Sequence, residues 1–230
     1  MLPPPRHGDN RRMRIGILGG SFNPAHAGHL HIALTALHRL ALDQVWLLVS
    51  PGNPLKTAEG MGTPARRLAS AKALAAGHPG LIATDIEQFL HTRYTHDTLR
   101  ALGRRFPCAR FVWLMGADNL TQFPRWRGWM SIARTVPFAV LPRPTYTRAA
   151  LASQAARRLA PARRPAAQAP VLANLAAPAW VFLGGRENAL SATALRRAAA
   201  GEERSPASPR HPQPQGPKSP SAAPPKRPPP

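Results

Sequence analysis

Two histidines three residues apart follow a pair of glycines near the start of the chain. Residues 19–31 read GGSFNPAHAGHLH, so His26 and His29 come shortly after Gly19 and Gly20. Glycines let a backbone approach a ligand closely, and a helix that starts after them points free N–H groups at an anion. Histidines at that helix start project to the same side and can donate hydrogen bonds to phosphate oxygens. The segment therefore predicts a nucleotide-phosphate site suited to nucleotidyl transfer.

Other interpretations of these histidines stay open at this point. One of them could have a purely structural role. His26, His29 and His31 could also hold a zinc ion, although no cysteine or carboxylate lies nearby in sequence to complete its coordination. Two familiar nucleotide loops do not fit, because the segment contains neither the Gly-Lys-Ser/Thr of a P-loop nor the GxGxxG of a dinucleotide-binding turn.

The elements that must position these residues are buried strands alternating with helices. Helical spacing of apolar residues predicts a helix that starts near residues 26–29, and Ala/Leu/Arg-rich stretches predict two more, at 64–76 and 95–105. Short apolar runs predict six strands, at 15–18, 45–49, 81–84, 111–115, 138–141 and 180–183. Continuous apolar strands between helices indicate a parallel sheet covered on both faces, which right-handed crossovers make an α/β doubly wound fold.

Polar motifs follow four of these strands. They begin at Gly19, Ser50, Gly116 and Gly184. In doubly wound folds, ligands bind beyond the carboxyl ends of the strands. We therefore expect the four motifs to contribute to one shared site.

The composition narrows the class of protein. The chain has 31 Lys and Arg against 10 Asp and Glu, a formal net charge of +21. This excess suits polyanionic small substrates such as ATP, whereas the thin spread of the arginines argues against a nucleic-acid groove. The chain has no run of about 18 apolar residues, so we expect no membrane span. A single cysteine, Cys108, fits a reducing cytoplasm, where it serves as a small filler residue.

The ends of the chain differ in composition from the middle. Residues 1–12 are polar and proline-bearing, and residues 202–230 carry a proline every few positions with almost nothing apolar to bury. We expect both segments to be disordered, and a single domain to occupy residues 13–201.

Two signatures together carry a family resemblance. His26 and His29 stand at the ends of an HxGH pattern, and a Ser/Thr-rich segment ending in arginine, SATALR, occupies residues 191–196. The pair is similar to the signatures of the nucleotidyltransferase superfamily of Rossmann-like adenylyltransferases. Ala192 stands where a second serine is commoner.

Finer matches resemble bacterial nicotinate-nucleotide adenylyltransferases and run from about residue 13 to residue 201. They are PGNPLK at 51–56, RYT at 93–95 with TL at 98–99, MGADNL at 115–120, FPRW at 123–126 and PRP at 142–144. The sister family that acts on phosphopantetheine is also similar, but usually carries Thr at the first signature position and lacks the FPxW segment.

The resemblance implies an ATP site at one end of the sheet. His26, His29, Lys56 and Arg196 would be the catalytic residues that grip and neutralise the phosphates of ATP, which Mg²⁺ accompanies. Asp118 would accept ribose hydroxyls, although an aspartate after a strand can also be an ordinary helix N-cap. Lys56 can equally be a solvated loop residue. The remaining ATP-binding residues would be Gly19, Gly20, Ser21, Phe22, Gly116, Ser191 and Thr193.

The resemblance also implies an acceptor site for nicotinate mononucleotide. Trp126 would stack on the pyridine ring, and Tyr94 and Thr95 would bind its carboxylate, with Asn53 nearby. On chemistry alone Trp126 and Trp129, at helical spacing, can equally be core residues. The product would be nicotinate adenine dinucleotide.

Two other functions stay open, and the sequence departs from the family pattern at one point. Another small molecule such as phosphopantetheine could be the acceptor, or the chain could be a non-catalytic basic nucleic-acid-binding protein. The family usually ends with a further short helix and an aromatic residue, whereas here residues 196–201 run directly into the proline-rich tail.

Overall fold

The sheet of this protein is built so that its first and fourth strands lie side by side. In a computed structural model, which describes residues 4–5, 7–51, 60–143 and 145–184, seven parallel strands have the order β3-β2-β1-β4-β5-β7-β6. The chain winds outward from β1 in one direction and from β4 in the other. The doubly wound, Rossmann-like α/β fold is therefore confirmed, with its topological switch point between β1 and β4.

The six apolar runs all form strands close to their predicted bounds. The strands are β1 (Arg14–Gly20), β2 (Gln44–Val49), β3 (Leu81–Thr84), β4 (Arg110–Gly116), β5 (Phe138–Leu141), β6 (Arg163–Arg164) and β7 (Trp180–Phe182). The strand that sequence analysis missed is β6. Two arginines at a sheet edge carry no apolar pattern, and they pair with β7 only because the neighbouring segment brings them there.

Helices connect the strands and cover both faces of the sheet. The α-helices are α1 (Ala27–Arg39), α2 (Pro64–Ala75), α3 (Ile86–Leu90), α4 (Thr95–Arg105), α5 (Ala117–Gln122), α6 (Trp129–Thr135), α7 (Thr147–Leu151) and α8 (Gln154–Arg158). Short 3₁₀ helices occupy Phe123–Arg125, Ala160–Ala162 and Ala166–Asn174. The three predicted helices are confirmed within one residue. None of the helices in the described ranges is long and apolar enough to cross a membrane.

Alternate residues of each central strand enter two different cores. On β1, Ile15 and Ile17 face one core and Leu18 faces the other. On β4, Trp113 packs in the first core and Leu114 in the second. Because both faces are buried, the strands are apolar throughout, which is why simple apolar runs located them.

The disorder predicted for residues 1–12 and 202–230 stays a prediction. Within the first segment the structure describes residues 4–5 and 7–12, where Arg11 Nε donates to Asp9 Oδ2 at 2.7 Å. The second segment lies outside the described residues.

Gly19 shows how tightly the end of β1 packs against β4. A Cβ atom placed on Gly19 would lie 2.5 Å from Cη2 of Trp113, a rigid side chain buried in the core. Gly103, exposed on α4, would meet nothing within 4 Å.

We therefore expect alanine at these two positions to change stability in opposite directions. Gly19→Ala should lower the free energy of unfolding by about 1–3 kcal/mol through overpacking. Gly103→Ala should raise it by about 0.5–1 kcal/mol, because alanine favours a helix. Denaturant unfolding of both variants measures this, and equal effects at the two sites would contradict the close packing of Gly19 on Trp113.

Candidate active site

The loop after β1 turns into α1 through two histidines that cap the helix for each other. His26 is the N-cap residue, and its Nδ1 accepts a hydrogen bond from the backbone N–H of Gly28 at 3.1 Å. In return, Nδ1 of His29 accepts from the backbone N–H of His26 at 3.3 Å. The two rings lie 3.9 Å apart between centroids. The predicted projection of both histidines to one side is thus confirmed, and they also have the structural role that the sequence left open.

This capping arrangement fixes the chemistry of both rings. Because each Nδ1 accepts a hydrogen bond, a neutral ring carries its proton on Nε2 and can donate it. His26 is buried, and desolvation together with the nearby positive charge of Arg143 lowers its pKa to about 4. His26 is therefore a neutral donor at pH 7.

Phe22 occupies the middle of the same loop in an unusual conformation. Its φ is +48°, and its side chain is fully buried with the ring 4.8 Å from that of His29. The whole residue is buried, whereas the preceding Ser21 is partly exposed, so a ligand can meet Ser21 but not Phe22. The phenylalanine anchors the loop, while Gly20 leaves room for that ring, since a Cβ on Gly20 would lie 3.2 Å from it.

The end of β4 contributes a carboxylate and β5 a guanidinium to the same edge of the sheet. Gly116 is the N-cap residue of α5, so the alternative interpretation of Asp118 as an N-cap is wrong. Asp118 Oδ1 lies 3.5 Å from Nε of Arg143, which follows β5. Both atoms are buried without a hydrogen-bond partner among the described residues. Two such atoms between strand ends are suited to bind polar groups of a ligand.

Arg67 on α2 ties the loop after β1 to the end of β2. Its guanidinium donates to the carbonyl oxygens of Ser21 and Ser50, at 2.9 and 2.7 Å. Nearby, the side-chain amide of Asn23 donates to the carbonyl of Gly60 and accepts from the N–H of Gly62. The loop that carries the histidines is therefore braced against the segment before α2.

Trp126 packs on the aromatic side chains of one core with part of its surface open. Its ring meets those of Trp113 and Phe123 edge-on, at centroid distances of 6.1 and 5.5 Å. Trp113 in turn packs on Gly19, so the tryptophan pair connects Trp126 to the loop after β1. Trp126 follows a 3₁₀ helix and Trp129 begins α6, so the helical spacing of the two does not reflect a common helix. Gly128, at φ +66°, separates them.

The start of α4 reaches the same region. Tyr94 is the N-cap residue of α4 and Thr95 its first residue. The guanidinium carbon of Arg127 lies 4.7 Å from the centre of the Tyr94 ring. Arg127 directly follows Trp126, so the start of α4 packs against the segment that carries this tryptophan, while a shared site of Tyr94, Thr95 and Trp126 stays a prediction.

A buried carboxyl group supports this helix start. Glu87 on α3 accepts a hydrogen bond from Thr98 on α4 at 2.8 Å, and the Thr98 hydroxyl oxygen also lies 3.2 Å from the carbonyl oxygen of Tyr94. Burial raises the pKa of Glu87 to about 7, against an ordinary value of 4.5. Glu87 thus helps to hold the Tyr94 turn in place.

Five predicted site residues lie outside the described residues: Asn53, Lys56, Ser191, Thr193 and Arg196. Conversely, four residues that the structure places around the site had no role predicted from the sequence: Arg67, Glu87, Arg127 and Arg143. Only Arg143 carried a signal, since it stood within a matched motif. The importance of the other three follows from contacts between elements that are distant in sequence.

The zinc alternative finds no support in the described part of the chain. Nowhere in it do three His, Cys, Asp or Glu side chains come together as a group that could hold a metal ion, and His26, His29 and His31 are within that part.

The raised pKa of Glu87 makes stability depend on pH. The unfolded chain loses this proton near pH 4.5 and the folded chain near pH 7, so the unfolded state binds fewer protons in between and stability falls as pH rises. Relative to the parent chain, Glu87→Gln should gain up to about 3 kcal/mol in free energy of unfolding between pH 5 and pH 8. Chemical denaturation at both pH values measures this difference.

Gln88→Glu provides the matched control, because position 88 is exposed on the same helix. It should show little difference between the two pH values. A pH-independent effect of Glu87→Gln would mean that Glu87 ionises in the folded protein as it does in the unfolded one.

Comparisons with known proteins agree with this geometry. A "probable nicotinate-nucleotide adenylyltransferase" of Gluconacetobacter diazotrophicus is 58% identical over 205 residues, covering 89% of this chain and 93% of its own. Proteins of the same name from Gluconobacter oxydans and Caulobacter sp. are 55% and 53% identical, each over 80% of this chain and over 94% and 97% of their own.

A solved structure has a similar fold. The nicotinic acid mononucleotide adenylyltransferase of Plasmodium falciparum, solved in complex with NaAD, superposes with a TM-score of 0.62 at 14% identity, covering 80% of this chain and 83% of its own. The cytidylyltransferase-like family model matches residues 17–198, which include the histidine loop, the Asp118 region and Trp126. The chain therefore belongs to the cytidylyltransferase-like family, and within it to the nicotinate-nucleotide adenylyltransferases.

Proposed function

We propose that this protein transfers the adenylyl group of ATP to nicotinate mononucleotide, a step of NAD biosynthesis. The observation that carries the proposal is the meeting of three groups at one edge of the sheet. They are the histidine loop after β1, the Asp118–Arg143 pair after β4 and β5, and the partly open Trp126, whose neighbour Arg127 packs on Tyr94. The names of the relatives agree with this chemistry.

The ATP site lies over the histidine loop. Gly19, Gly20 and Ser21 approach the phosphates while the buried Phe22 anchors the loop, and Nε2 of His26 and His29 donates to phosphate oxygens. At the end of β4, Gly116 leaves the space that Asp118 and Arg143 use, since a Cβ there would collide with Asp118 Oδ1 and lie 3.2 Å from Arg143 Nε. Asp118 accepts hydrogen bonds from the ribose hydroxyls.

Four further residues of this site are proposed from the family resemblance alone. Lys56 and Arg196 supply positive charge to the phosphates, and Ser191 and Thr193 bind their β/γ end.

The acceptor site lies between Trp126 and the start of α4. The pyridine ring stacks on Trp126, which the edge-on rings of Trp113 and Phe123 hold in place. Tyr94 and Thr95 offer backbone N–H groups and a hydroxyl to the nicotinate carboxylate at a helix N-terminus. Arg127, packed on the ring of Tyr94, adds positive charge beside that carboxylate, and Asn53 completes the acceptor set by resemblance.

The reaction is a direct displacement at phosphorus. A phosphate oxygen of nicotinate mononucleotide attacks the α-phosphorus of ATP, and the bond from that phosphorus to the oxygen bridging to the β-phosphorus breaks. Nicotinate adenine dinucleotide and pyrophosphate leave, with no covalent enzyme intermediate. The residues of this chain align the two phosphates and donate to the oxygens on which charge accumulates.

A divalent cation, Mg²⁺, accompanies ATP and neutralises its phosphates when bound. Its ligands in such complexes are largely phosphate oxygens and water, so we assign no side chain of this chain as a metal ligand. We place the reaction in the cytoplasm, where a lone cysteine such as Cys108 remains reduced.

The substrate assignment predicts a specific turnover. The protein with Mg²⁺ and ATP should release pyrophosphate when nicotinate mononucleotide is added, and liquid chromatography should show nicotinate adenine dinucleotide in equal amount. Phosphopantetheine should give no release. Turnover of phosphopantetheine with none of nicotinate mononucleotide would overturn the assignment. ATP-independent binding of RNA or DNA without turnover would instead favour the basic-protein alternative.

Substitution should separate the catalytic role of the two histidines from their role as helix caps. His26→Asn keeps a side chain that caps helices well, and should retain stability while losing about 10²–10³-fold in kcat. His29→Ala should lose a similar factor while the fold survives. The loss follows from the missing Nε2 donor to phosphate.

His38→Ala is the matched control, because His38 is exposed on the last turn of the same helix. Its turnover should equal that of the parent chain. Near-normal kcat in His29→Ala, with circular dichroism unchanged, would refute the catalytic role of that histidine.

A further inference from the structure

Arg67 is a buried cation whose partners are backbone carbonyls. Its side chain is 2% exposed, and none of the ion pairs in the described part of the chain involves it. Nε donates to the carbonyl of Gly62 at 3.0 Å, Nη1 to those of Ser21 and Ser50, and Nη2 to that of Pro51 at 3.1 Å. The planar fork thus joins three chain segments that are separate in sequence.

Burying the Arg67 charge without a carboxylate partner costs folding free energy, so we infer that the arginine does something an apolar residue could not. Burial lowers the pKa of the Arg67 guanidinium from its ordinary value, since the charge is removed from water without a carboxylate to balance it. An apolar residue on α2 could cover the same core at less cost. What an apolar residue could not do is fix the direction of four carbonyl groups.

The carbonyl of Ser21 is the partner that touches the proposed ATP site. A peptide unit is planar, so fixing the direction of the Ser21 carbonyl also fixes the peptide that joins the partly exposed Ser21 to the buried Phe22. Three more bonds brace the same loop, since Asn23 bonds both Gly60 and Gly62, and the N–H of Ala25 donates to Ser70 Oγ at 3.0 Å. Arg67 adds the connection to the end of β2.

We propose that Arg67 is a positioning residue for ATP, which holds the loop after β1 at Ser21 in the orientation that binds phosphate and places a fixed positive charge beneath it. The inference rests on the proposed function, because it assigns the loop after β1 to ATP. The proposed role of Arg67 concerns the binding of ATP and not that of nicotinate mononucleotide. None of the hydrogen bonds that Arg67 makes in the described structure reaches Trp126 or Tyr94, so we expect a smaller effect on the acceptor than on ATP.

The expected signature is a selective loss of ATP affinity. Arg67→Met removes the fork and the charge, and should raise KM for ATP roughly tenfold or more, the factor that corresponds to about 1.4 kcal/mol. KM for nicotinate mononucleotide should change less than twofold. Arg67→Lys keeps the charge but cannot bond four carbonyls, so KM for ATP should lie between those of Arg67→Met and the parent chain.

Arg66→Met is the matched control. Arg66 is the adjacent residue on the same helix, exposed to solvent, and its loss changes the net charge by the same amount. It should leave both KM values unchanged. Thermal melting of every variant shows that the measured protein is folded at the assay temperature.

A purely structural role would give a different pattern. Lower melting temperatures with both KM values unchanged would overturn the proposal, as would equal increases in the two KM values. Failure of both Arg67→Met and Arg67→Lys to fold would also overturn it, because the arginine would then be required for the fold itself.

Calorimetric titration with Mg²⁺–ATP, in the absence of acceptor, separates this inference from the proposed function. If the parent chain binds ATP but does not adenylate nicotinate mononucleotide, the acceptor assignment fails while the Kd values still test Arg67. Kd for ATP should then be weakened roughly tenfold in Arg67→Met and unchanged in Arg66→Met. Equal Kd values in the parent chain and Arg67→Met would overturn the positioning role.

Discussion

The parallel pairing of β1 with β4 is the constraint on which the rest of this structure depends. It aligns Ile15 with Phe111 and Leu18 with Leu114, so that strands almost a hundred residues apart end side by side. The chain then leaves β1 toward α1 and β4 toward α5, on opposite courses. The crevice opened by this divergence receives the histidine loop from one strand and Asp118 from the other. The tight packing of Gly19 on Trp113 shows that little displacement between the two strands is tolerated.

The histidine loop combines a structural and a chemical task in the same two side chains. His26 and His29 satisfy backbone N–H groups that a helix start would otherwise leave unpaired. The nitrogen atoms used for this purpose are the Nδ1 atoms, which leaves the protons of the neutral rings on Nε2. The capping bonds therefore select the tautomer that can donate to a phosphate, and the fold sets the state of both groups without a carboxylate partner.

Three buried ionisable groups surround the site, and each is held by a different means. His26 is kept neutral by burial and by Arg143, Glu87 keeps its proton up to about pH 7 while accepting from Thr98, and Arg67 remains charged among four carbonyls. Each arrangement costs stability relative to an apolar residue of similar size. Each also fixes a backbone segment that borders the proposed substrates. Such groups are expected to concentrate where orientation matters more than stability.

The sequence by itself determined the class of fold and the local chemistry. Apolar runs located six of the seven strands because both faces of a parallel sheet are buried, and the HxGH pattern predicted the helix start because glycines and a capping residue act locally. It could not choose between a structural and a functional role for His26 and His29, and the structure shows that the capping role is real. It gave Asp118 two interpretations, and only the position of Gly116 as N-cap removed one of them. The roles of Arg67, Glu87 and Arg127 were decided by tertiary structure alone, because their partners lie on other elements and an arginine beside a helix looks the same in sequence whether it faces water or four carbonyl oxygens.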